Sequence, residues 1–208
     1  MLNDTDLKKN TQESSDGSNS PAELIRQNLL DSARVKQVAA ELVAEKAAEL
    51  AGHISHALKN GHRVMVCGNG GSAADAQHFA GEMVGRFKRH GRIALPVQAL
   101  TTDTTILTCV ANDFSYDEVF SRQVEAFAQP GDVVLGISTS GRSSNILLAL
   151  RAAQAREAVA LALVGGDGGP VAREATCAVV VPSSDTARIQ ECHITLIHAI
   201  CELVEAGF

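Results

Sequence analysis

Two glycine- and serine-rich loops each follow a short apolar segment, and this repeated arrangement most constrains how the chain can fold. The first loop, residues 68–72, follows the apolar segment 64–67, and the second loop, residues 138–144, follows 133–137. A strand that leads through such a loop into a helix directs free backbone N–H groups and the positive end of the helix dipole at one point. Two such loops on neighbouring parallel strands predict a phosphorylated small molecule at the strand ends of an open sheet.

The chain beyond residue 61 alternates short apolar segments with helical patterns. The predicted strands are 63–67, 96–100, 132–137, 159–164 and 177–181, and the predicted helices are 73–87, 104–110, 116–128, 144–154 and 186–206. The strands are apolar throughout rather than alternating, which is typical of a parallel sheet covered on both faces. The sequence therefore predicts an α/β fold, a three-layer αβα sandwich with a five-stranded parallel sheet.

The N-terminal part of the chain divides into a polar tail and a helical segment. Residues 1–19 are polar and mixed in charge, which predicts a disordered tail. Ser20 has the features of an N-cap for a long helix within the segment 20–60, with a break near residue 31 as the alternative. Its apolar residues, at roughly helical spacing, are Leu24, Leu29, Val35, Val38, Leu42, Val43, Ala47, Leu50, Ile54 and Leu58. They exceed what one sheet face covers, so we expect an oligomerisation segment that packs against a second copy, followed by a domain at 61–208.

Composition and charge exclude several classes of partner. The net charge of −6 over 208 residues argues against nucleic-acid binding, because no basic surface offsets phosphate repulsion. The five cysteines show no CxxC spacing, and this usage fits a reducing cytoplasm. No apolar run reaches the roughly 20 residues of a membrane span, and the polar N-terminus lacks the apolar core of a signal peptide. We therefore expect a cytoplasmic protein that acts on a small molecule, with no membrane partner.

Two predicted helices carry residues suited to acid–base or metal chemistry. His78 and Glu82 are four residues apart in the predicted helix 73–87 and share one of its faces. An imidazole and a carboxylate at this spacing can bind a divalent metal or share a proton transfer, although such pairs are also common on solvated helix faces. The last helix carries His193 and His198 within an apolar sequence. We interpret His193 as a core histidine bonded to a backbone carbonyl.

Four sequence segments together resemble one enzyme family. They are CGNGGSAADAQHFAGEMVGRF at 67–87, ANDF at 111–114, STSGRS at 138–143 and ARIQECHITLIH at 187–198. In this order and spacing they are similar to the phosphoheptose isomerases of the sugar-isomerase-domain (SIS) superfamily, and the likeness covers the chain beyond the tail. The resemblance implies a flavodoxin-like SIS domain and a homotetramer with shared active sites. It also implies conversion of D-sedoheptulose 7-phosphate to D-glycero-D-manno-heptose 7-phosphate, the first step of ADP/GDP-heptose and lipopolysaccharide biosynthesis.

The same resemblance implies a cofactor and a set of site residues. One zinc ion per subunit is expected on His78, Glu82, Gln190 and His198. Glu82 and His198 are expected to form the catalytic acid–base pair. The expected sugar-phosphate contacts are Asn69, Gly70, Gly71, Ser72, Glu82, Arg86, Asn112, Asp113, Ser138, Thr139, Ser140, Ser143 and Gln190. Arg142, within the second loop, receives no role from the resemblance.

The reaction explains why these residue types are needed. Isomerisation moves a proton between C1 and C2 through an enediol, so one group must reach both carbons while another exchanges protons with the oxygens. Either Glu82 takes the carbon proton and His198 the hydroxyl proton, or the roles are exchanged; the sequence leaves both open. A metal can stabilise the enediolate as a Lewis acid or only organise the site.

The spacing of Gln190 and His198 leads to one further prediction. Eight residues on a straight helix correspond to a rise of about 12 Å and a rotation of about 80°. Reaching one metal with both side chains of a single helix is therefore strained. We predict that a neighbouring subunit supplies one of the two, which would make oligomerisation a requirement for a complete site.

Two alternative functions fit parts of the sequence. The segment 68–73 matches the dinucleotide pattern GxGxxA, but no acidic residue occurs between Glu82 and Asp103, where a Rossmann site needs its ribose ligand. A non-catalytic SIS-domain regulatory protein that binds a replication initiator would keep the loops while its catalytic positions drift. The presence of all four expected metal ligands favours an enzyme.

Overall fold

The structure is a computed structural model that describes residues 20–208, and the predicted tail 1–19 lies outside the described residues. In chain order the elements are α1 Pro21–Lys59, β1 Val64–Gly68, α2 Gly71–Val84, β2 Val97–Ala99, α3 Thr104–Asp113, a 3-10 helix Tyr116–Glu118, α4 Ser121–Phe127, β3 Val133–Ser138, α5 Ser144–Ala155, β4 Val159–Gly165, α6 Gly169–Glu174, β5 Cys177–Val181 and α7 Thr186–Glu205. Every predicted strand is present, with bounds that differ by no more than two residues.

The five strands form one parallel sheet in the order β2-β1-β3-β4-β5. Strands β1 and β3 are buried along their whole length, which explains their continuous apolar sequences, because helices cover both faces of the sheet. From β1 the chain proceeds to one edge of the sheet, and from β3 it proceeds to the other. The strand order therefore reverses between β1 and β3, where parallel sheets form ligand-binding crevices. The predicted α/β class is confirmed.

Helices on the two faces of the sheet enclose two separate cores. On one face α1, α2 and α7 pack over a core that includes Leu50, Phe79 and Ile197. On the opposite face α3 to α6 cover a core that includes Val124 and Ile146. This arrangement confirms the three-layer αβα sandwich and makes α2 and α7 neighbours on the same face.

Three differences from the predicted helices have local causes. Helix α2 ends at Val84 rather than at residue 87, because the chain leaves the helical conformation at its C-cap, Gly85. The predicted helix 116–128 is divided into the 3-10 helix and α4. The sequence pattern does not reveal α6, since this helix has only six residues and follows Gly168, which adopts a positive φ of 76°.

Helix α1 is continuous, without the break considered above. The Ser20 side chain caps it as predicted and accepts a hydrogen bond of 3.2 Å from the backbone N–H of Glu23. From Ala39 onward one face of α1 lies in the core, whereas Leu24 and Leu29 near its start are 57% and 68% exposed. Among the helices within residues 20–208, none is long and apolar enough to cross a membrane.

Candidate active site

The first and second loops leave the carboxyl ends of neighbouring strands, as the sequence predicted. Gly68 at the end of β1 pairs in register with Ile137 near the end of β3. Asn69 in the first loop and Asn145 at the start of α5 exchange two side-chain hydrogen bonds of 2.9 Å each. Asn145 is buried, so these bonds hold the two loops together in a protected position. The loops therefore border one crevice at the point where the strand order reverses.

The first loop favours glycine at Gly70, where it turns, and brings Gly71 close to Gln190. Gly70 adopts a φ of 55°, and a Cβ atom at Gly71 would collide with the side-chain amide of Gln190. Helix α2 begins at Gly71, and the N–H groups of Ser72, Ala73 and Ala74 donate to the carbonyl oxygens of Asn69 and Gly70. The positive end of the helix dipole still favours an anion at this turn. Ser72, the next residue, is buried in this first turn.

The second loop contributes hydroxyl groups. Ser138 and Ser143 are hydrogen-bonded to each other through their hydroxyl oxygens at 3.0 Å. The Ser140 hydroxyl accepts a hydrogen bond from the backbone N–H of Arg142, whose side chain forms an exposed ion pair with Asp167. Thr139 is half-buried between them, and α5 begins directly after Ser143. This loop can therefore surround a phosphate with hydroxyls and the first N–H groups of α5.

A cluster of three side chains lies between α2 and α7, and we call His78, Glu82 and His198 the acid–base cluster. The Nε2 atoms of His78 and His198 are 2.9 Å apart, and His78 Nε2 lies 3.2 Å from Glu82 Oε1. Their potential ligand atoms all lie within 4.8 Å of one another. All three residues are at least partly exposed, so a substrate can reach them.

The donor set of this cluster suits a transition metal. Catalytic zinc sites commonly use two imidazole nitrogens and one carboxylate oxygen, and they keep a fourth position open for water or substrate. Around a tetrahedral zinc with Zn–N bonds of about 2.0–2.1 Å, the ligand atoms lie about 3.3 Å apart. The 2.9 and 3.2 Å separations in the cluster are close to that value. The residues present therefore fit the metal that the sequence resemblance implies.

Helices α2 and α7 run parallel, with their N-termini on the same side. Gln190 lies against Gly71 at the start of α2, whereas His198 contacts His78 about two turns further along. The two α7 side chains therefore contact well-separated positions on α2 within one chain. His198 comes from the same chain as His78 and Glu82 and does not require a second subunit. The prediction of a ligand supplied by a neighbouring subunit remains a prediction for Gln190.

Several side chains surround the cluster. The Phe87 ring stacks on the His198 imidazole, with 5.5 Å between ring centroids and an interplanar angle of 21°. Asp75 is buried one turn before His78, and its Oδ2 has no hydrogen-bond partner. Burial raises the pKa of Asp75 to about 6, although the nearby His78 opposes this shift. His193 lies in the core with Nε2 at 3.1 Å from the Val164 carbonyl oxygen, as predicted.

Within the described part of the chain, three residues expected to contact the sugar phosphate make no hydrogen bond to the first or the second loop. Arg86 is exposed and hydrogen-bonded to His90, and Asn112 donates a hydrogen bond of 2.7 Å to Asp113. In the hydrogen-bond network of residues 20–208, none of Arg86, Asn112 and Asp113 reaches either loop. Tyr116 does so instead, donating to Asn69 Oδ1 at 3.1 Å.

Sequence reasoning did not assign roles to Asn145, Tyr116 or Phe87. Asn145 directly follows the serine motif of the second loop, and Phe87 is the last residue of the long motif that starts at Cys67. Their positions beside recognised motifs are the only local signals. Their partners are distant in the chain, so the contacts themselves have no sequence signature.

Comparison with known proteins identifies the family. Residues 30–165 match the family model of the SIS domain. The phosphoheptose isomerase of Aquifex aeolicus (strain VF5) is 51% identical over 183 residues, which are 88% of this chain and 95% of that protein. The phosphoheptose isomerase of Chlorobaculum parvum is 49% identical over 199 residues, 95% of each chain.

A solved structure gives the same result for the fold. The phosphoheptose isomerase from Neisseria gonorrhoeae matches with a TM-score of 0.84 and 44% identity, covering 89% of this chain and 98% of that one. At this identity and coverage the resemblance found in the sequence is confirmed. The chain therefore belongs to the phosphoheptose isomerase family, a family of SIS-domain enzymes.

Proposed function

We propose that this protein converts D-sedoheptulose 7-phosphate to D-glycero-D-manno-heptose 7-phosphate, the first step of ADP/GDP-heptose biosynthesis. The observation that carries this proposal is the acid–base cluster between α2 and α7, because the N-terminus of α2 borders the crevice proposed to bind the phosphate. The names of the relatives support a heptose phosphate as the substrate. The heptose product would supply lipopolysaccharide synthesis.

The separation between the first loop and the cluster suits this substrate. The phosphate of the ketose is on C7 and the reaction takes place at C1 and C2, so the two groups lie at opposite ends of the molecule. His78 is seven residues beyond Gly71, which corresponds to about 10 Å along α2. An extended sugar with its phosphate on the first turn of α2 directs its reactive end toward the cluster. The amides of both loops and the hydroxyls of Ser138, Ser140 and Ser143 would hold the phosphate.

Glu82 is the group that we assign to the carbon proton. A carboxylate has two oxygens, so one can face His78 while the other accepts the C1 proton and returns it to C2. The C1–H bond breaks as the C1–C2 double bond of the enediol forms, and the carbonyl oxygen on C2 takes up a proton. Return of the proton to C2 then gives the aldehyde at C1, and no oxidant or reductant is needed.

His198 is assigned to the hydroxyl protons. The imidazole has two nitrogens, so one can face His78 while the other carries a proton between O1 and O2. Its stacking on Phe87 fixes the plane of the ring and therefore the direction in which it donates.

A divalent metal, with zinc as the expected ion, would be held by His78, Glu82 and His198. Gln190 of a neighbouring subunit is the proposed fourth ligand. When bound, the metal supplies Lewis-acid polarisation of the substrate oxygens.

The proposed assembly is a homotetramer with shared active sites. Its support is the exposed apolar side of α1, where Leu24, Ile25, Leu29 and Leu30 are all more than half exposed.

The proposed location is a reducing cytoplasm. All five cysteines are free, four of them buried and one exposed, which fits this location.

One assay tests the proposal directly. The purified full chain is incubated with D-sedoheptulose 7-phosphate, with and without added zinc, and the aldoheptose phosphate is followed by NMR. We expect turnover that is lost with a chelator and restored by zinc. Absence of turnover under all conditions would contradict the proposal, and binding of the sugar phosphate without turnover would favour a regulatory SIS protein.

A further inference from the structure

The segment that follows α2 is basic and closes over the C-terminal ends of both α2 and α7. It contains Lys88, Arg89 and Arg92. Arg89 donates hydrogen bonds to the last carbonyls of α7, at Glu205 and Ala206. Cations at helix C-termini are favourable because they satisfy free carbonyl oxygens and oppose the helix dipole.

Glu205, at the end of α7, is a buried residue that holds this segment in place by hydrogen bonds. It is 1% exposed, and its carboxylate accepts hydrogen bonds from the backbone N–H groups of Phe87, Lys88 and Arg89 at 2.8–3.1 Å. Burial alone would raise the pKa of Glu205, but these N–H groups and Arg92 outweigh it and lower the pKa to about 2. The carboxylate therefore stays ionised at any pH at which the enzyme works.

Arg92 connects Glu205 to α2. Its side chain is 1% exposed, and Nε donates to Glu205 Oε1 at 2.9 Å. Its two terminal nitrogens donate to the backbone carbonyls of Glu82 and Met83, which lie in the last turn of α2 and lack helical partners there. One buried guanidinium thus ties the end of α2 to the end of α7.

This ion pair is linked to both members of the proposed catalytic pair, directly to the backbone of Glu82 and through Phe87 to His198. Arg92 binds the carbonyl oxygen of Glu82 itself. The backbone N–H of Phe87 is held by Glu205, and the Phe87 ring stacks on the His198 imidazole. Glu205 is seven residues after His198, close to two full turns, so both lie on the same face of α7. A shift of the ion pair would therefore act on the backbone of Glu82 and on the Phe87 ring that stacks on His198.

We propose that Arg92 and Glu205 are positioning residues, which hold Glu82 and His198 in register for proton transfer. The proposal rests on the proposed isomerase function for its kinetic consequence, whereas the geometry of His198 can be measured independently. The ion pair lies away from the loops, so it acts on the chemical step and not on phosphate binding.

The test compares Glu205→Gln with two matched controls. Glu202→Gln breaks the exposed Lys88–Glu202 ion pair between the same segment and the same helix. Asp132→Asn weakens another buried carboxylate that accepts backbone N–H bonds, from Arg63 and Gln129, at the amino end of β3. We expect Glu205→Gln to lower kcat at least 10-fold with KM changed less than 2-fold. When assayed well below their melting temperatures, the two controls should have the kcat of the wild type.

A second readout does not depend on activity. In histidine side-chain NMR spectra of the full chain, Glu205→Gln should shift or broaden the His198 resonances, and the two controls should leave them unchanged. Arg92→Lys should behave like Glu205→Gln, because a lysine keeps the charge but cannot bind Glu205 and both carbonyls at once. Arg92→Lys provides the same test if Glu205→Gln does not fold.

The outcomes separate the two proposals. Wild-type kcat and unchanged His198 resonances in both Glu205→Gln and Arg92→Lys would overturn the positioning role, even if both variants melt at lower temperature. A wild-type chain without isomerase activity would overturn the proposed function instead, and the His198 resonances would still test the positioning role.

Discussion

The first loop and the acid–base cluster both adjoin α2, at its N-terminus and farther along it, yet they are built by different means. The loops depend on backbone conformation at Gly70 and on strand order, and a buried pair of asparagine side chains holds them together. The cluster depends on side chains that two parallel helices bring together, and all three of its residues are partly exposed. The conformation of the first loop is therefore set partly by local sequence, whereas the cluster is set by the packing of α2 against α7.

The largest expected effect is on the cluster. Glu82→Gln and His198→Asn should each lower kcat by about 10²–10⁴-fold, because each removes a general acid–base group without much change in volume. This loss corresponds to roughly 3–5 kcal/mol of transition-state stabilisation. Steady-state kinetics and circular dichroism check it, with Glu202→Gln on the exposed side of α7 as the control. A rate unaltered in either variant would remove that residue from the mechanism.

The next prediction concerns His193, the histidine of α7 that lies in the core. Burial lowers the pKa of His193 to about 4, although its bond to the Val164 carbonyl opposes this shift. Below pH 6.5 the unfolded chain binds a proton that the folded chain binds only near pH 4. The free energy of unfolding should therefore fall by about 3 kcal/mol as the pH decreases from 6.5 to 4, with no contribution above 6.5.

Urea unfolding at pH 7 and at pH 4.5 measures this effect. His193→Gln can still donate to the Val164 carbonyl but does not titrate, so it should show a smaller decrease between the two pH values. An equal decrease in wild type and variant would show that other groups dominate the acid sensitivity.

A smaller effect is expected in the loops. Asn69→Ala should raise KM about 10-fold, because it leaves the buried side-chain amide of Asn145 without its hydrogen-bond partner and loosens the crevice. An unpaired buried polar group destabilises the fold by about 1–3 kcal/mol. The kcat should change less, because the cluster lies farther along α2, against α7. Titration with inorganic phosphate provides an independent measure of the crevice. A lowered kcat with unchanged KM would contradict the division of roles between loops and cluster.

The smallest effect is expected for Arg142. Its ion pair with Asp167 is exposed on both sides, and such pairs contribute less than about 1 kcal/mol. Arg142→Ala should therefore change the melting temperature and kcat/KM only slightly. A large increase in KM would show instead that this side chain binds the substrate phosphate.

The sequence predicts the loops well because their requirements are local. A positive φ at Gly70 and a helix start at Gly71 leave a glycine signature in the chain itself. The helix spacing also predicts that Gln190 and His198 do not face one point. Which of the two contacts His78 depends on how α7 is positioned along α2, and no pattern in the α7 sequence predicts that position.

Other features escape sequence reasoning for the same physical reason. The end of α2 at Val84 is stabilised by Arg92 and, through it, by Glu205, 113 residues further along the chain. The Asn69–Asn145 bonds join residues 76 positions apart. Side-chain contacts at such separations depend on the finished fold, whereas strands and helices depend on periodicity within a few turns.

Helix α1 is also much longer than the sheet on which it packs. Its 39 residues span about 58 Å, whereas the seven residues of β4 span about 23 Å. No residue of α1 before Ser32 is buried, and Arg188 of α7 donates to Asn28, so the portion that can extend beyond the body of the domain is the start of α1 before Asn28. If two copies pair through it, the length of α1 sets the distance between their centres of mass. Deleting one or two turns from this portion would then change the dimensions of the assembly, measurable by small-angle scattering, without altering the fold of each subunit.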